Sequence, residues 1–101
     1  MKKIILTLAL FLGFTITLNA EPYVATAYCH TGKTASGRQA GYGVIAVDPR
    51  IIKLGSKVKI NGKTYVAADT GGVIKGRKID IWMSCSEAKQ FGRRKVDLQI
   101  L

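Results

Sequence analysis

Two β-forming runs, Lys57–Ile60 and Lys63–Ala68, are separated only by Asn61-Gly62. Both residues of that pair tolerate positive φ, so the segment is committed to a tight antiparallel hairpin. The chain after Pro22 continues in the same manner. Tyr23–Cys29 alternates and is rich in β-formers, and Val44–Val47 is a short apolar run stopped by Asp48-Pro49. Lys78–Trp82 reads as a strand, and Lys95–Leu101 alternates again. Glycine-rich loops, Gly32–Gly43 and Asp69–Gly76, lie between these runs. Ser84 and Glu87 have the spacing of a capping box, so Cys85–Phe91 is expected to be helical and to end at Gly92. About six strands and one short helix near the C-terminus, with no helical periodicity long enough for a bundle, indicate a mainly β fold. Closing the strands into a small barrel removes exposed strand edges, and that is the expected architecture.

A segment of different character comes first. Met1–Ala20 carries Lys2 and Lys3, then an uncharged run from Ile4, then Ala20 as a small residue before a cut. The uncharged run is shorter than the roughly 20 residues that cross a bilayer comfortably. Residues 1–20 are therefore read as a signal peptide cleaved near Ala20, with an uncleaved N-terminal anchor as the alternative. Leu18 is larger than the residue usually preferred three positions before a cut, so the site of cleavage stays open. No cysteine lies near the cut, which argues against a lipid anchor. Residues 21–101 then form one domain that is secreted or periplasmic, or held in the cell wall. On that oxidising side Cys29 and Cys85 can persist as a disulfide, and a core this small benefits from a staple. Two free thiols are the alternative, because sequence alone does not bring them within bonding distance. A zinc site needs about four ligands, and besides carboxylates only Cys29, Cys85 and His30 are on offer. Neither metal nor other cofactor is expected.

Lys+Arg number 16 against 6 Asp+Glu, a formal charge of +10, while the 48% hydrophobic content excludes a disordered basic tail. With so few acids, their placement is informative. Asp48 ends Val44–Val47 and precedes Pro49, and Asp69 opens a Thr-Gly-Gly loop. Asp80 lies between Ile79 and Ile81 and shares a strand face with Trp82. Asp48 and Asp69 also suit turn formers that accept local backbone N–H bonds, and Asp80 suits an edge strand with a wet face. A carboxylate within an apolar strand is nevertheless costly unless it is hydrogen-bonded or functional.

Ala27-Tyr28, Gly32–Gly37 (GKTASG), Gly43–Pro49 (GVIAVDP), Leu54-Gly55, Ala68–Gly76 (ADTGGVIKG), Ile79–Ile81, Ser86–Ala88 and Phe91–Arg94 follow one another in order across Thr26–Leu101. In these motifs the chain resembles the exported three-aspartate domain family, which is similar to the catalytic barrel of the membrane-bound lytic transglycosylase A type. The resemblance implies a six-stranded double-psi β-barrel. It also implies cleavage of the MurNAc–GlcNAc β-1,4 bond of peptidoglycan with formation of a 1,6-anhydro-MurNAc end. The family's three aspartates match Asp48, Asp69 and Asp80, and its catalytic one matches Asp80. The chain departs from the fuller pattern in being little more than the bare domain, with no wall-binding module and no second domain to flank a groove.

That chemistry suits the residues. One carboxylic acid protonates the glycosidic oxygen and then, as carboxylate, takes a proton from the sugar's own 6-hydroxyl. Because the sugar supplies the nucleophile, no second carboxylate is needed to activate water. The acid must stay protonated near neutral pH, through burial or a neighbouring negative charge. Ile79, Ile81 and Trp82 around Asp80, with Asp69 nearby, would meet both conditions. Thr34, Thr70 and Lys75 are candidate substrate-binding or orienting groups, although Lys75 equally fits a solvated loop lysine. Gly71-Gly72 would let backbone N–H groups approach a sugar closely.

Three other readings compete. Asp69-Thr70-Gly71 resembles an aspartic protease turn, but Gly72 stands where that family has Ala or Ser, and Asp48 and Asp80 go unexplained. A non-catalytic double-psi module that binds cell-wall polysaccharide is the stronger alternative, since the basic charge alone would hold it to anionic wall polymers. Nucleic-acid binding rests on charge alone and is not expected of an exported domain. The expected partners are peptidoglycan glycan strands and anionic cell-wall polymers, met by a monomer.

Overall fold

The computed structural model describes residues 20–101. The signal segment read from the sequence lies, up to residue 19, outside them. The elements are β1 (Glu21–Tyr28), β2 (Val44–Ala46), β3 (Lys57–Ile60), β4 (Lys63–Asp69), β5 (Lys78–Trp82), α1 (Cys85–Phe91) and β6 (Arg94–Ile100). The hairpin between β3 and β4 turns on Asn61 at φ 48° and Gly62 at φ 87°, the left-handed pair its sequence requires. Ser84 caps α1, accepting from the Glu87 N–H while the Glu87 side chain accepts from the Ser84 N–H.

The six strands close into a barrel in the order β1-β5-β2-β4-β3-β6. β1 with β5 and β2 with β4 are parallel, while the other neighbours are antiparallel. Alternation sorts the two faces. Tyr23, Ala25, Val58, Ile60, Ile79, Ile81, Val96 and Leu98 point into the core, with Ile45, Val47, Ile52 and Ala67. Lys57 and Lys59 on β3, and Lys78, Asp80 and Trp82 on β5, point outward.

One irregularity decides where the acids stand. Ile45 of β2 pairs with Ala67 of β4, but Ala46 pairs with Asp69, so one extra residue is inserted at Ala68. Strict alternation from inward-facing Ala67 would turn Asp69 into the core. The bulge re-aims it to the outer face. Ala46 also pairs with Asp80, so Thr26, Asp80, Ala46 and Asp69 form one row across β1, β5, β2 and β4.

Cys29, just past β1, is bonded to Cys85 at the start of α1, with Cα atoms 5.0 Å apart. The bridge ties the helix to the end of the strand that carries Thr26 and Tyr28.

Candidate active site

Asp80 and Asp69 line an outer cleft of about 340 Å³ together with Tyr28, His30, Lys33, Ala46, Thr70, Gly71 and Ile74. Ala46 leaves the space between the two acids open, because a methyl is all that β2 projects there. A depression of similar size beside Glu21 and Leu98 holds neither residue of the acid pair.

Asp80 is half-buried, and Thr26 donates to its Oδ1 at 2.9 Å. Burial pushes its carboxyl above the ordinary aspartate range, and the Asp69 charge adds to the rise. The Thr26 hydrogen bond and the Lys78 charge act the other way. Asp69 is held by three donors: Tyr28 Oη at 3.1 Å, the Ala35 N–H at 3.0 Å and the Thr70 N–H at 2.9 Å. Burial first, then the negative charge of Asp69, holds the Tyr28 phenol well above its usual pKa, so it stays a donor.

Asp48 sits elsewhere. Its carboxylate is buried in a fork with Arg50, at 3.0 Å from Nε and 2.7 Å from a terminal nitrogen, and also accepts from the N–H groups of Arg50 and Gly76. The Arg50 hydrogen bonds hold it far below the usual carboxylate range. The Asp48 carbonyl accepts from the Ile51 and Ile52 N–H groups, a turn that seats Ile52 in the core. Asp48 therefore joins two loops and does not line the cleft.

The other expected residues divide. Thr70 and Gly71 line the cleft, and a Cβ at Gly71 would come within 2.9 Å of Ile74 Cγ1. Gly72 and Lys75 are exposed and lie outside it. Thr34 is buried and spends its hydroxyl on the Arg38 carbonyl at 2.7 Å, fixing the loop whose Ala35 N–H reaches Asp69. Thr26, Tyr28, His30 and Lys33 were not among the expected site residues. Thr26 and Tyr28 carry a signal, two hydroxyls at alternate positions among the apolar residues of Val24–Tyr28, whereas His30 and Lys33 sit in a loop without one.

The 3D domain family profile matches residues 43–101, which include Asp48, Asp69 and Asp80 but not β1. YabE of Bacillus subtilis (strain 168), to which cell wall shaping is ascribed, is 41% identical over 95 residues, covering 88% of this chain and 23% of YabE. YocH of the same organism, a cell wall-binding protein, is 42% identical over 92 residues, covering 85% of this chain and 32% of YocH. MltA of Escherichia coli, a lytic transglycosylase, matches with a TM-score of 0.60 and 25% identity over 70% of this chain and 27% of MltA. MltA has also been solved with bound chitohexaose. The chain thus spans between about a quarter and a third of the length of these relatives. The barrel it shares with MltA is the double-psi fold.

Proposed function

We propose that this chain, which belongs to the 3D domain family, cuts peptidoglycan glycan strands as a lytic transglycosylase, leaving 1,6-anhydro-MurNAc ends. The observation that carries this reading is the half-buried Asp80 on the cleft wall, with Asp69 beside it across Ala46. Asp80 in its protonated form donates to the oxygen of the MurNAc–GlcNAc β-1,4 bond, and the bond to the departing sugar breaks. The resulting carboxylate accepts the proton of the C6 hydroxyl as that oxygen closes on C1, so Asp80 ends as it began and no water is consumed. Asp69, held by its three donors, stands near the cationic sugar and adds to the rise in the Asp80 pKa that burial begins. Thr70 and the backbone around Gly71 supply polar contacts to the glycan. The names of YabE and YocH support a site of action at the cell wall, reached by export. Mass spectrometry of peptidoglycan incubated with the purified protein tests the reading directly: anhydro-muropeptides are expected, and their absence overturns it.

The pH profile gives a sharper check. A general acid fails as pH rises through its pKa, so the alkaline limb of the rate belongs to Asp80. The Thr26 hydroxyl stabilises the charged carboxylate. Thr26→Val removes that bond, raises the Asp80 pKa further and moves the alkaline limb to higher pH. A limb that stays in place, or moves down, takes Asp80 out of the acid role.

The cell wall-binding name of YocH favours a second reading, in which the barrel only binds wall polysaccharide. The exposed outer lysines of β3, Lys57 and Lys59, suit attraction to anionic wall polymers under either reading. Pull-down on whole wall material is expected to weaken sharply with added salt, since exposed charges are screened over about 8 Å at physiological ionic strength. Turnover of a short neutral glycan is expected to change far less. Wall binding indifferent to salt would mean that sugar contacts in the cleft, and not charge, supply the affinity.

A further inference from the structure

A second, smaller cleft lies next to the first. It is lined by Tyr42, Lys63, Tyr65, Trp82, Met83 and Glu87 among others, and its volume is about 150 Å³. That is well below the roughly 300 Å³ at which pockets begin to enclose a drug-sized ligand, so it suits a single ring.

Tyr42 is 71% exposed, yet it is not free. Its hydroxyl donates to Glu87 Oε1 at 2.7 Å, and its ring meets Trp82 edge to face with centroids 5.0 Å apart. Glu87 is itself fixed by the capping box of α1. An aromatic ring held rigid in solvent has already lost the rotamer freedom that ligand binding would otherwise cost. Trp82 stands two residues from Asp80 on the same outer face of β5, about 7 Å along the strand. Its indole N–H donates to the His30 carbonyl at 2.7 Å, and His30 lines the Asp80 cleft. Trp82 and His30 therefore form a shared wall between the two clefts.

We infer that the Tyr42–Tyr65–Trp82 cleft is a further sugar subsite, which takes one pyranose ring of a glycan strand whose next two units flank the bond at Asp80. The apolar C–H face of a pyranose matches the aromatic rings, while Lys63 and Glu87 offer a donor and an acceptor to its substituents. The inference rests on the Asp80 cleft being a glycan site and extends it by length.

Trp82 is the single tryptophan of the chain, so its fluorescence reports on this cleft. Titration of the full chain with chitohexaose is expected to perturb that signal. Tyr42→Ala is expected to weaken chitohexaose binding about twofold to tenfold, the range of one lost aromatic contact. Chitobiose, too short to span both clefts, should bind Tyr42→Ala and wild type alike. Tyr42→Phe keeps the ring but frees it from Glu87, so its affinity should fall between those of Tyr42→Ala and the wild type. An unresponsive Trp82 in the wild type overturns the subsite. So does equal loss for both sugars, or a Tyr42→Phe variant as weak as Tyr42→Ala, since the loss would then come from the Glu87 contact. If Tyr42→Ala binds normally while Asp80→Asn abolishes turnover, the subsite fails and the catalytic reading stands. If Asp80→Asn retains turnover while Tyr42→Ala weakens chitohexaose, the subsite stands and the catalytic assignment fails.

Discussion

Asp80→Asn is expected to lower release of anhydro-muropeptides by about 10⁴-fold, the upper end of what one positioned acid–base group supplies. The upper end applies because one side chain both gives and receives the proton, and an amide does neither. Stability should move the other way. The folded pKa of Asp80 is raised, chiefly by burial. Such a group contributes stability below its unfolded pKa of about 3.9 and loses it as pH rises through the folded value. Above its unfolded pKa the group therefore costs stability, whether it takes up a proton or keeps its charge on folding, and asparagine avoids that cost, so the variant should melt no lower than the wild type at pH 7 and still sediment with wall material. Activity within tenfold of wild type removes Asp80 from the chemistry. A lowered Tm would instead assign the loss to unfolding.

Breaking the Cys29–Cys85 bond should produce the largest change in stability. The bridge spans a sequence separation of 56, for which restriction of the unfolded chain is worth about 4 kcal/mol. In a domain of this size that corresponds to a fall in Tm on the order of 20 °C. Calorimetry of the Cys29→Ser, Cys85→Ser double variant, with dithiothreitol on the wild type as a second route, measures it. Two titratable thiols in the unfolded, oxidised protein would show that no bridge exists. Cys29 lies between Tyr28 and His30, which both line the Asp80 cleft, so turnover should fall with the bond even where the barrel persists.

Local chemistry made most of the fold legible. Asn61-Gly62 and the Ser84–Glu87 box each act within a few residues, and β5 and α1 fall where their residues predict. The candidate site was legible only where a residue announces its own environment. Asp80, flanked by two isoleucines, did so. The bulge at Ala68 did not, because Ala67-Ala68 carries no mark of which alanine is extra, yet it alone turns Asp69 toward Asp80. Nor did the parallel pairing of β1 with β5, which sets Thr26 opposite Asp80 from a distant part of the chain. Asp48 shows the opposite limit. Its turn-forming role and its cleft role read alike from sequence, and the fork with Arg50 separates them.

Among the described strands, the first to be synthesised has the last two as its neighbours. β1 pairs with β5 and β6, so the ring cannot shut before the chain has reached Ile100. Pairings this remote in sequence make for slow, late assembly. The contacts of Thr26 with Asp80 and of Tyr28 with Asp69 are both of this kind. A chain not yet extended to β6 thus carries all three acids before the barrel that orders them can close.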